Sequence, residues 1–106
     1  MIERLGVEEA ARRLAQQGTV LLDVREPHEV DFCSIPGAIQ IPLREVRDRA
    51  LEELNPKDSL LIYCHHGGRS LMAAQLLDRM GFELIANMEG GIDAWSVEID
   101  TSIPRY

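Results

Sequence analysis

The sequence predicts an α/β fold, a mainly parallel sheet held between helical layers, and three observations lead there. Short apolar runs of strand length recur at Val20 to Val24, Leu60 to Tyr63 and Leu84 to Ala86. Between them lie segments with apolar residues at three- and four-residue intervals, the spacing that places one stripe on a helix. The runs lack the apolar–polar alternation of a sheet with one wet face. Each therefore reads as a strand covered on both sides, the situation of parallel strands between helices.

Taken in order, Val7, Ala10, Ala11, Leu14 and Ala15 form the stripe of a first helix that ends near Gly18. Val20-Leu21-Leu22-Asp23-Val24 follows as a buried strand whose polar exception is Asp23. Ile35-Pro36-Gly37-Ala38 is a turn, leading to a short strand at Ile39 to Ile41 that Pro42 closes. Leu43, Val46, Ala50 and Leu54 mark a second helix. Asn55-Pro56 stops it, since a residue before proline is pushed out of the helical region. After the strand at Leu60 to Tyr63 comes a helix from Leu71 to Met80, apolar over much of its surface, with Gly81 suited to a left-handed cap. Leu84-Ile85-Ala86 is the last strand. Gly90-Gly91 makes a tight turn into a short helix through Trp95, which reads as a packing anchor.

At 106 residues the chain suits one core, so residues 1–106 are expected to form a single domain. Eleven basic residues against eighteen acidic ones give a formal charge of -7, and the basic residues are dispersed. Binding to nucleic acid, which needs a positive face, is therefore not expected. No stretch approaches the roughly 20 apolar residues that span a bilayer, and Met1-Ile2-Glu3-Arg4 lacks the pattern of a signal peptide. A cytoplasmic protein without a membrane partner is the expectation. The two cysteines, Cys33 and Cys64, do not make a disulfide framework, and each is expected to be a thiol. Cys33, in surroundings unlike an anion site, reads as a small, partly buried residue more than as a resolving thiol.

Cys64 stands at the mouth of a strand in Tyr63-Cys64-His65-His66-Gly67-Gly68-Arg69-Ser70, just before a helix. In α/β folds ligands bind where strand C-termini meet helix N-termini. A thiol titrates near about 8.5 when unperturbed, its thiolate is the nucleophile, and a helix N-terminus favours that charge. The turn from His65 to Ser70 must be sharp, and Gly67-Gly68 gives it backbone freedom. If it wraps the sulfur, successive N–H groups form a nest for a thiolate, a persulfide or an oxyanion. Arg69 suits either an anionic substrate or a carboxylate that braces the loop. His65 and His66 lack the spacing of a zinc site, and their backbones are expected to matter more than their rings.

Four stretches, Leu21 to Glu29 (LLDVREPHE), Ile35 to Leu43 (IPGAIQIPL), Ile62 to Ser70 (IYCHHGGRS) and Met88 to Trp95 (MEGGIDAW), resemble the rhodanese-like sulfurtransferase family in its single-domain form. The resemblance implies a sheet of about five strands flanked by helices on both faces, with Cys64 as the persulfide-forming nucleophile. Its active-site loop maps onto Cys64, His65, His66, Gly67, Gly68 and Arg69, and Ser70 completes the binding segment. Asp23 and Arg25 match the family's Asp-x-Arg pair; Asp23 either braces the loop or ends a buried strand. Arg25 either faces substrate or pairs with Glu26 or Glu29 on the surface. Ser34 stands where many members have His, a departure that concerns turn geometry.

The implied reaction moves a sulfane sulfur from a donor such as thiosulfate, through a Cys64 persulfide, to cyanide, a thiol or a protein cysteine. A protein thiol carrier is thus one expected partner, and the reaction needs no metal or organic cofactor. The same architecture resembles cell-cycle dual-specificity phosphatases, which have five residues between Cys and Arg. Here there are four, His65 to Gly68, a smaller loop that fits a sulfur atom better than a phosphoryl group. A non-catalytic binding module is the other alternative, since fold does not fix function; the intact Cys64 and Arg69 speak against it.

Overall fold

A computed structural model describes residues 1–106. Along the chain lie β1 (Ile2–Leu5), α1 (Val7–Ala15), β2 (Thr19–Asp23), α2 (Pro27–Phe32) and β3 (Ile39–Gln40). A single 3₁₀ turn (Leu43–Glu45) leads into α3 (Val46–Glu53), followed by β4 (Ser59–Tyr63), α4 (Gly68–Arg79), β5 (Leu84–Met88) and α5 (Gly91–Glu98). All five strands are parallel, in the order β1-β5-β4-β2-β3. No helix is long and apolar enough to cross a membrane.

The central strand β4 explains the layers. Successive strand residues point to opposite faces, so Leu60, Ile62 and Cys64 enter one core with Val46, Ala50, Ala73, Ala74 and Leu77 of α3 and α4. Leu61 and Tyr63 enter the other with Val7, Ala10, Ile92 and Trp95 of α1 and α5. Helices thus cover both faces, as the unalternating apolar runs predict. Cys64 extends the row that faces α4, which brings its sulfur to the N-terminus of that helix. Trp95 is a packing anchor, buried in the α1/α5 layer.

The ladder sets the site's height. Leu22 pairs with Ile62, Asp23 with Tyr63, and Ile62 with Asn87, so the C-terminal ends of β2, β4 and β5 lie level. The loop after β4 sits between the loops after the other two.

Three elements differ from the sequence reading. β1 is an edge strand whose Glu3 and Arg4 are exposed while Ile2 and Leu5 are half-buried, and it carries no apolar run that periodicity could register. α2 is only six residues long, too short for a repeating stripe. α4 begins at Gly68 rather than Leu71, so Arg69 and Ser70 occupy its first turn and are not loop residues in the strict sense.

Candidate functional site

Cys64 lies one residue beyond β4 and is 2% exposed. Its Sγ accepts hydrogen bonds from the Gly67 N–H at 3.1 Å and the Ser70 N–H at 3.3 Å. Ser70 Oγ lies 3.4 Å from the sulfur and donates to the Gly67 carbonyl at 3.1 Å. The N–H groups of His66, Gly68 and Arg69 donate to no other atom of the chain. Gly67 has φ +118°, the left-handed region where a Cβ is penalised, and this residue turns the chain from the sulfur into α4.

The loop is held from behind by α5. The Ile92 N–H donates to the Cys64 carbonyl at 2.9 Å and the Asp93 N–H to the His65 carbonyl at 3.1 Å. Those two bonds hold the Cys64 and His65 peptides from behind, while the Gly67 and Ser70 N–H groups meet the sulfur from the other side. Gly91 is what permits this contact: it has φ +60°, and a Cβ there would meet the His65 oxygen at 2.4 Å and the Cys64 oxygen at 2.5 Å. The turn at Gly90-Gly91 therefore also serves the site. Asn87 Nδ2 adds a bond to the Gly67 carbonyl at 3.2 Å.

Arg69 takes the second of the roles its position suggests. Its Nη1 and Nη2 donate to the two carboxylate oxygens of Glu29 at 2.6 and 2.8 Å, a fork-on-fork geometry. Glu29 also accepts from the Tyr106 hydroxyl at 2.8 Å and from the Glu26 N–H at 3.1 Å. Bonding to Arg69 first, and then to Tyr106, holds the Glu29 carboxyl down at about 2. The Arg69 guanidinium is correspondingly raised by Glu29.

Of the two readings of Asp23, the structure agrees with the polar end of a buried strand, the last residue of β2, and the expected role of Arg25 needs correction. Asp23 does not touch the Cys64 loop. It accepts from Arg25, whose Nη2 lies 2.7 Å from Oδ2 and whose backbone N–H lies 2.9 Å from Oδ1. Arg25 neither faces substrate nor pairs on the surface: both side chains are fully buried. Its remaining donors reach the Cys33 carbonyl at 2.7 Å and the Tyr106 hydroxyl at 3.0 Å. Burial opposes the Arg25 charge, but the bonds to Asp23 and Tyr106 outweigh it and raise its pKa. The pair ties the end of β2 to the segment after α2 and to Tyr106.

The histidines lie on the outer side of the loop. His65 stacks on the Tyr106 ring, centroids 3.8 Å apart and planes 5° from parallel. Its Nε2 is buried without a partner. Burial, and then the neighbouring His66, lower its pKa, so this imidazole is neutral at physiological pH. His65, His66 and Asp93 bring ligand-type atoms within 4.8 Å of one another, but Arg105 already holds both Asp93 oxygens, at 2.9 and 3.1 Å. That neutralises the one anionic member of the trio.

Cys33 and Cys64 are both free and buried, but they belong to different core layers, Cys33 under α1 and α5 and Cys64 under α4. Cys33 packs as a buried residue of the α1/α5 core, and its carbonyl accepts from Arg25. An open apolar groove of about 800 Å³ lies elsewhere, between α1, α5 and the Ile35–Ile39 segment, and includes no residue of the Cys64 loop.

Glu29 and Tyr106 are the site residues that the sequence reading missed. Glu26-Pro27-His28-Glu29 does carry a helix-start signature, an acidic residue three positions beyond the cap with Pro at the first helical position. That signal reveals α2. It does not reveal that Glu29 reaches a partner forty residues further on.

A family model described as Rhodanese-like domain matches residues 6–98. The Rhodanese-like/PpiC domain-containing protein 12, chloroplastic, of Arabidopsis thaliana is 42% identical over 89 residues, which cover 81% of this chain and 30% of that protein. The adenylyltransferase and sulfurtransferase MOCS3 of Drosophila ananassae is 35% identical over 111 residues, 98% of this chain and 25% of that protein. The chain thus spans under a third of these two relatives. Among solved structures, a rhodanese-related protein from Thermoplasma volcanium superposes with TM-score 0.80 at 31% identity, covering 92% of this chain and 93% of that one.

Proposed function

The chain belongs to the rhodanese-like domain family, its model matching residues 6–98, and on that premise we propose that the protein is a sulfurtransferase working through a persulfide on Cys64. The observation that carries the proposal is the sulfur's setting: buried at the C-terminal end of the central strand, it faces a turn whose N–H groups converge on it. The sulfurtransferase named among the relatives supports the same chemistry.

The reaction has two halves. The Cys64 thiolate attacks the outer sulfur of a donor; a sulfur–sulfur bond forms to Cys64 while the donor's own bond to that sulfur breaks. With thiosulfate the leaving group is sulfite, and with a persulfide it is a thiolate. With thiosulfate the new outer sulfur carries the charge into the loop, and with RSSH it gains the charge once its proton is lost; there the free amides of His66, Gly68 and Arg69 can meet it. An acceptor thiolate then attacks that sulfur and Cys64 leaves as thiolate. Both steps are displacements at sulfur of the thiol–disulfide type and depend on access and leaving-group quality. Gly67, Gly68 and Ser70 supply the cradle, Arg69 braces it, and Asp23 with Arg25 supports the rim. We place this chemistry in a reducing compartment such as the cytoplasm, where Cys33 and Cys64 stay thiols, with a small-molecule or protein thiol as acceptor.

Intact mass after incubation with a sulfane-sulfur donor tests the reading. One added sulfur atom that disappears in Cys64→Ser is the expected result. Unchanged mass, or the same gain in Cys64→Ser, would overturn it. An aryl phosphate assay in parallel checks the phosphatase alternative, for which no hydrolysis is expected.

A further inference from the structure

We propose that Glu29 determines donor specificity: by holding Arg69 as a neutral ion pair, it makes the Cys64 site favour donors that bring in no net charge over dianionic thiosulfate. The inference rests on the sulfurtransferase reading and deepens it.

From Cys64 to Ser70 the chain has one permanently charged side chain, Arg69. Both of its terminal nitrogens are spent on Glu29, at 2.6 and 2.8 Å. Glu29 is not poised to let go, since it takes four hydrogen bonds in all, two from Arg69, one from Tyr106 and one from Glu26. Arg69 keeps its Nε–H and a side-chain exposure of 36%. It can still donate a hydrogen bond, but the pair presents no net charge.

The other cations near the rim are spent in the same way. Arg25 is buried on Asp23, Arg105 lies on Asp93, and Arg4 lies on Glu89. His65 is kept neutral by burial. The cradle around Sγ is consequently built from amides and a hydroxyl, dipoles without a counter-charge.

The two donor classes ask different things of such a site. Thiosulfate brings two negative charges to a thiolate and leaves as sulfite dianion, so three negative charges share the site throughout the step. An alkyl persulfide in its protonated form, RSSH, brings none. Cys–S⁻ plus RSSH gives Cys–SSH plus RS⁻, and one charge merely moves from Cys64 to the leaving thiolate. Where the local dielectric is low, uncompensated like charges are strongly disfavoured. An unpaired arginine would offset part of that repulsion; a neutral pair does not.

Steady-state kinetics with thiosulfate and with the persulfide of 2-mercaptoethanol, which reacts through its RSSH form, tests the proposal, with cyanide as acceptor and the uncatalysed rate subtracted. In Glu29→Gln the freed Arg69 charge should raise kcat/KM for thiosulfate relative to the persulfide by about tenfold, mainly through a lower KM for thiosulfate. A second variant guards against damage to the rim: Glu29→Gln combined with Arg69→Gln restores neutrality, and its donor ratio should return to that of the parent. A ratio unmoved in Glu29→Gln, or a double variant that loses thiosulfate use selectively, would overturn the role of Glu29 while leaving sulfur transfer intact. Failure of both donors to load Cys64 in the parent protein would instead remove the sulfurtransferase reading itself.

Discussion

Two arginine–carboxylate pairs stand at the C-terminal rim of the sheet, Asp23–Arg25 and Glu29–Arg69, and their differences separate support from chemistry. The first links residues two apart and buries both side chains completely. The second links residues forty apart and leaves Glu29 10% and Arg69 36% exposed. A buried charge that loses its partner is left uncompensated, so a buried pair is fixed once formed. A rim pair is partly solvated and can be re-tuned at modest cost. Asp23–Arg25 therefore acts as a girder between β2, Cys33 and Tyr106, and Glu29–Arg69 sets the charge at the mouth of the Cys64 loop. Tyr106 joins the two, its hydroxyl accepting from Arg25 and donating to Glu29.

The largest effect is expected at the girder. Asp23→Asn leaves the Arg25 guanidinium buried without an anion, and urea denaturation should show a loss of about 4 kcal/mol; a loss below about 1 kcal/mol would mean the pair is not the support described here. Glu29 titrates at about 2 in the folded chain against an ordinary 4.5. Its stabilisation is thus complete above pH 4.5, declines as pH falls toward 2, and is absent below. Linkage alone gives about 3 kcal/mol, solvent at the partly exposed Arg69 cuts this to about 2 kcal/mol, and the pH dependence of stability should flatten over that range in Glu29→Gln. Smallest of the three is Tyr106→Phe, which removes the hydroxyl shared by the two pairs while keeping the ring on His65. A loss of about 1 kcal/mol is expected, and Tyr106→Phe combined with Glu29→Gln should cost less than the sum of the single changes because the two share one bond.

The sequence carried the girder and the nucleophile in short, local patterns. Asp23 and Arg25 lie in one tripeptide, and Cys64 through Ser70 in one heptapeptide between a strand and a helix; strand alternation then decides that Cys64 faces α4. The unalternating runs at Leu60 to Ile62 and Leu84 to Ala86 likewise made the parallel, doubly covered sheet legible. What escaped was made by tertiary contact. Glu29 reads locally as a helix-start residue, and its bond to Arg69 exists only because β2 and β4 are neighbours in the sheet. Tyr106 has no pattern around it at all, and its place follows from the tail packing across His65. β1 has no apolar run of its own, with its register set by β5. Arg25 looked like a surface charge beside Glu26 and Glu29, since nothing in its local sequence shows that Cys33 and Tyr106 close over it.

A crystal structure of the protein after treatment with a sulfane-sulfur donor shows directly where the transferred sulfur resides. One extra sulfur bonded to Cys64 Sγ is expected, lying within hydrogen-bond distance of the amides of His66, Gly68 or Arg69, with Glu29 still forked onto Arg69. An adduct on Cys33, or an outer sulfur directed away from those amides, would contradict it.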